Sequence, residues 1–90
     1  MADITVTGGD GRFVVVVREP GGASTHTVTV PPGFARALGW DDDEPLVQAS
    51  FHFLLEREPA TSILGRFSLE VIEGYFPEYR SEIARRPERS

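Results

Sequence analysis

Residues Leu46 to Glu58 read LVQASFHFLLERE, a stretch too apolar for an ordinary surface helix and too short to cross a membrane. On a helical wheel Leu46, Val47, Ser50, Phe51, Leu54 and Leu55 form one broad stripe. Ala49 and Phe53 widen it, and Gln48, His52 and Glu56 leave a narrow polar line at one-turn spacing. A helix patterned this way must be enclosed on most sides. The remainder of the chain therefore has to bring apolar surface to it from more than one direction.

The first such surface is a β-meander. Residues 2 to 7 alternate, with Ile4 and Val6 on one side and Asp3, Thr5 and Thr7 on the other, as in a half-buried strand. Gly8-Gly9-Asp10-Gly11 signals a turn, and folding there sets Val6 opposite Phe13 and Ile4 opposite Val15. Arg12 to Arg18 is apolar on both faces, which suits a central strand. A second turn centred on Gly21-Gly22, with positive φ at both, pairs Phe13 with Val30, Val15 with Val28 and Val17 with His26. The inner face is then Ile4, Val6, Phe13, Val15, Val17, His26, Val28 and Val30. Its outer face carries Thr5, Val14, Val16, Thr25, Thr27 and Thr29.

The second surface comes from short helices. Pro31-Pro32 stops the third strand and opens a helix through Gly33 to Leu38, directing Phe34, Leu38 and Trp40 to the core. The acidic run Asp41 to Glu44 precedes Pro45 and is read as N-capping and dipole compensation; it lacks the spacing and glycine of an EF-hand. After Pro59 a short helix over Ala60 to Leu64 points Ile63 and Leu64 inward. Ser68 caps a stretch with Leu69, Ile72 and Tyr75, and beyond Pro77 a last helix lines up Phe76, Tyr79 and Ile83. The predicted fold is α+β: a three-stranded antiparallel meander followed by about four helices on one sheet face, a single domain over residues 2–86 with a frayed tail at 87–90.

Composition narrows the function. Ninety residues allow one core, whose burial must offset a chain entropy of order 100 kcal/mol. The absence of cysteine removes disulfides, thiolate nucleophiles and cysteine-bound zinc. A net charge of −5 opposes general binding to nucleic acid or anionic membranes. The start, MADITVTGGD, has no basic or apolar leader region, so a cytoplasmic location is expected. All nine cationic residues are arginine and there is no asparagine, which points to a GC-rich bacterial genome; a halophile is the competing explanation, but a larger acidic excess is expected there.

From Leu46 onward the chain carries the pattern SF-x-FLLEREP…SIL…F…VI…YFPEY, at Ser50, Phe51, Phe53 to Pro59, Ser62 to Leu64, Phe67, Val71, Ile72 and Tyr75 to Tyr79. In this half it resembles a family of small uncharacterised bacterial proteins. The resemblance implies a bacterial origin and transfers no activity or site residue.

Candidate chemistry is sparse. His52 and Glu56 have the spacing of two metal ligands on one helix face, but a site needs a third, and the other histidine, His26, belongs to the sheet. His26 falls on the inner face near a hairpin end, where partial exposure is expected. Ser50 and His52 point in different directions, and no nucleophile elbow, phosphate loop or dinucleotide fingerprint is present. Residues Pro59 to Leu64 and Ser68 to Tyr75 have helix-turn-helix lengths, yet the second would present Glu70 and Glu73 to phosphate. Tyr75, Phe76 and Tyr79 offer a contact surface, although their spacing is first that of a core. The expectation is a non-enzymatic protein without cofactor or small-molecule substrate, acting through a protein partner or as a homodimer. Its predicted contact surface is Thr5, Val14, Val16, Thr27 and Thr29. A DNA-binding, antitoxin-like regulator is the alternative.

Overall fold

Asp10 and Gly11 both carry positive φ, 54° and 79°, the requirement of a two-residue hairpin turn whose twist matches its strands. In the computed structural model, which describes residues 3–86, strand β1 (Asp3–Gly9) therefore runs up to this turn and pairs with β2 (Arg12–Glu19). Ala2 and the predicted frayed tail lie outside the described residues. Val6 faces Val15 rather than Phe13, because Gly8 and Gly9 extend the strand instead of forming the loop. Gly8 permits this with φ 131°; a Cβ there would lie 2.4 Å from the Arg12 carbonyl oxygen.

The second hairpin turns at Pro20-Gly21, not Gly21-Gly22, with Glu19 opposite Gly22 and only Gly22 at positive φ. Strand β3 (Gly22–Thr29) accordingly sets Phe13 opposite Val28, Val15 opposite His26 and Val17 opposite Ser24. Both registers differ from the expected ones by two residues. Because side chains alternate with period two, every residue keeps its predicted face. Ile4, Phe13, Val15, Val17, His26, Val28 and Val30 are buried and Val6 is half-buried.

The sheet has a fourth strand. Arg66–Ser68 form β4, parallel to β3, with Thr27 opposite Arg66 and Val28 opposite Phe67, in the order β1-β2-β3-β4. The three-stranded antiparallel meander is thus corrected to a four-stranded sheet with one parallel pair. Three residues are too few to show alternation, and parallel pairing needs the long crossover that the helices supply.

Helix α1 (Phe34–Ala37) leads into α2 (Asp43–Leu55). Asp42 occupies the N-cap position without a side-chain cap bond, and Asp43 and Glu44 fall in the first turn, so the acidic run acts through the helix dipole rather than by capping. Helical turns at Ala60–Ser62 and Leu69–Val71 flank β4, followed by α3 (Ile72–Tyr75) and α4 (Tyr79–Ala84). A strand therefore stands where a helix-turn-helix would need its turn.

Helix α2 is enclosed from two sides, as its composition demands. Leu46, Val47, Ser50, Phe51, Phe53 and Leu54 are buried, while Gln48, His52 and Glu56 are exposed. Toward the sheet, the Phe51 ring lies 5.3 Å from His26 and 6.0 Å from Phe67. Toward the C-terminal helices, Phe53 meets Tyr79 at 5.2 Å and Phe76 at 5.9 Å, edge to face. The hydroxyls of Ser50 and Tyr79 share a buried hydrogen bond of 2.7 Å, and Trp40 Nε1 donates to the Ile83 carbonyl at 3.0 Å. These bonds satisfy polar groups that would otherwise be costly inside the core.

Candidate interaction surfaces

The predicted surface residues do converge. Thr5, Val14, Val16, Thr27 and Thr29 lie on the sheet face opposite the helices, in neighbouring rows fixed by the register: Thr5–Val16–Thr25, and Thr7–Val14–Thr27–Arg66. Val14 is 39% exposed, Val16, Thr27 and Thr29 are half-buried, and Thr5 is exposed. The same register adds what the sequence reading overlooked. Arg12 and Arg18 stand at the two ends of β2 on this face, and Arg66 at its β4 edge. All three are exposed, and among the described residues none forms an ion pair; Arg57, Arg80 and Arg86 take those roles.

A second surface is concave. A groove of about 120 Å³ opens between the end of α2, the Ser62–Leu64 segment, β4 and α3, lined chiefly by Leu54, Leu64, Phe67, Val71, Tyr75 and Phe76. Leu64, expected inward, is 48% exposed; Tyr75 is 67% exposed and Val71 37%. The helical segments here are too short to turn all their apolar residues toward the core. Glu58 is the charged member of the lining.

Leu64 is held in place by His26, which is 3% exposed rather than partly open. The His26 ring Nδ1 lies 2.8 Å from the Leu64 carbonyl, and Nε2 lies 2.8 Å from Ser24 Oγ. A carbonyl only accepts, so Nδ1 carries a proton and donates it to Leu64, while Nε2 and the Ser24 hydroxyl bond each other. The order hydroxyl, imidazole, carbonyl is that of a nucleophile, its base and an orienting acceptor. Ser24 and His26 are same-face neighbours on one strand, however, and neither lines either of the concavities described here. What the bonds accomplish is to tie the loop before β4 to β3, alongside the Thr27 N–H to Gly65 carbonyl bond of 2.8 Å.

The other sequence candidates part company. Glu56 is engaged by Arg86 at 2.6 Å and Arg57 at 3.3 Å, and the Arg86 hydrogen bond holds its carboxyl below the usual carboxylate range. Exposed His52 sits one turn away. Asp42, Asp43 and Glu44 border a shallow depression with Gly8 and Gly9. Among the described residues no group of three or more histidine or acidic side chains could hold a metal ion, and no helix is long and apolar enough to cross a membrane. Tyr79 is fully buried, and burial pushes its hydroxyl up to about 12 against the opposing Ser50 hydrogen bond. Of the aromatic trio proposed as a contact surface, only Tyr75 is largely exposed and Phe76 half-buried.

No family model matches the chain, and neither a curated protein nor a solved structure matches it.

Proposed function

We propose that this protein is a non-enzymatic interaction module that receives an apolar side chain of a partner protein in the groove beside β4. The observation that carries the reading is clustering: of the four exposed large hydrophobic residues in the described chain, Leu64, Val71 and Tyr75 line this one concavity. Contiguous exposed apolar surface on a small protein marks contact sites, because leaving it in water is unfavourable. An engineered apolar cavity of about 150 Å³ holds benzene. The groove's volume of about 120 Å³ is of that order and admits roughly one leucine-sized anchor.

The test is selection of short random peptides on the wild type, with Leu64→Ser/Tyr75→Ser as counter-selection target. The expected result is enrichment of peptides sharing an apolar anchor, whose addition shifts the amide resonances of Leu64, Phe67 and Val71. If enrichment is equal on both proteins, or the shifts fall elsewhere, the groove is not the contact site.

A further inference from the structure

We infer that the open sheet face is a separate docking surface for an acidic segment of a partner protein, one that alternates carboxylates with apolar side chains. The inference goes beyond the groove, which lies on the other side of the sheet from Val14 and carries the opposite charge. Arg12, Arg18 and Arg66 frame a patch centred on Val14 and Val16 from three sides, while the whole protein has a net charge of −5. Three arginines here face two carboxylates, both at the margins: Asp3 lies opposite Arg18 on β1, and Glu70 reaches Ser68 at the end of β4. Arginine offers planar, multiple donors suited to carboxylates, and among the described residues the three side chains have no ion pair to break.

Charge also selects among occupants. Two copies packed through this face would set three arginines against three arginines, so a second copy is the wrong complement. Nucleic acid is opposed by the acidic remainder of the molecule, and the face carries no aromatic side chain on which a base could stack. Its apolar centre, Val14 and Val16 beside threonine methyl groups, fits β-branched or aliphatic side chains between the carboxylates.

Three probes test this on the full chain by amide-resolved titration: a capped peptide of alternating glutamate and valine, its lysine counterpart, and duplex DNA. The glutamate peptide is expected to shift β2 and β3 resonances and to bind more weakly as salt rises. Arg12→Gln/Arg66→Gln should reduce its affinity by about five- to tenfold, the size expected for losing two rim ion pairs, with an unchanged melting temperature. Leu64→Ser/Tyr75→Ser should leave it unaffected, so failure here and failure of the groove reading are distinguishable. Equal binding of the lysine peptide, tighter binding of DNA, indifference to the arginine substitutions, or a wild-type dimer that buries the face in sedimentation would each overturn the inference.

Discussion

The open sheet face and the β4 groove both leave apolar atoms in water, yet they arise differently. The face is framed by arginines and built chiefly from three strands whose alternation places their residues, with β4 adding Arg66 at one edge. The groove is concave, bears Glu58, and gathers residues from the end of α2, the following loop, β4 and α3. Regular secondary structure makes the first surface a consequence of period two. The second exists only after the chain has folded back along β3, which teaches that an exposed apolar residue in a short irregular segment is placed by tertiary contacts rather than by its own periodicity.

Both surfaces rest on Phe51, whose ring touches His26 of β3 and Phe67 of β4. Phe51→Ala should cost about 3 to 5 kcal/mol in urea unfolding and weaken both surfaces together. A neutral result would mean that they do not share a support.

The packing of α4 on α2 can be probed by pH. Tyr79 has a raised hydroxyl pKa of about 12 when folded against an ordinary 10.0, so the native state keeps its proton after the unfolded chain has lost it. The associated stability is complete below pH 10 and disappears as pH rises toward 12, by about 2 to 3 kcal/mol. Tyr79→Phe should abolish that step in alkaline melts, while costing about 1 to 3 kcal/mol near neutrality by stranding the Ser50 hydroxyl. Persistence of the step in this variant would remove Tyr79 as its origin.

The sheet side has its own weak point. Gly8→Ala forces a Cβ against the Arg12 carbonyl at a positive φ, and should destabilise by about 2 kcal/mol. The β1–β2 amides should lose exchange protection before those of α4. Uniform loss would show that the two regions open as one.

The smallest effects belong to the surfaces themselves. Tyr75→Ser should change folding stability by about 0.5 kcal/mol or less, and Leu64→Ser and Val16→Glu, at half-covered positions, by about 1 kcal/mol, while altering only the binding of their own side. A large drop in Tm for any of them would reclassify that residue as core.

Much of this architecture was readable beforehand. The face of each meander residue followed from alternation, and the exposure of Gln48, His52 and Glu56 followed from the helical wheel. The registers did not, because runs containing Gly8-Gly9-Asp10-Gly11 and Pro20-Gly21-Gly22 offer several places to turn, and the choice rests on backbone dihedrals. The site was half visible. Thr5, Val14, Val16, Thr27 and Thr29 share a face; the same alternation places Arg12 and Arg18 beside them, whereas Arg66 joins them only through β4. The groove gave no periodic signal; a cluster of apolar residues interrupted by Pro59, Gly65 and Gly74 was its one trace.

What the sequence by itself determined is the pairing of a broadly apolar helix, open only along Gln48, His52 and Glu56, with a sheet that buries one face, since hydrophobic period fixes which atoms must leave water. Only the tertiary structure decided that Arg66–Ser68 would join β3 in parallel, that His26 would hold the Leu64 loop, and that Leu64 and Tyr75 would face outward. Those outcomes depend on contacts between residues distant in the chain, such as His26 with Leu64 and Ser50 with Tyr79. Their geometry is set by how the packed core closes, which no local pattern encodes.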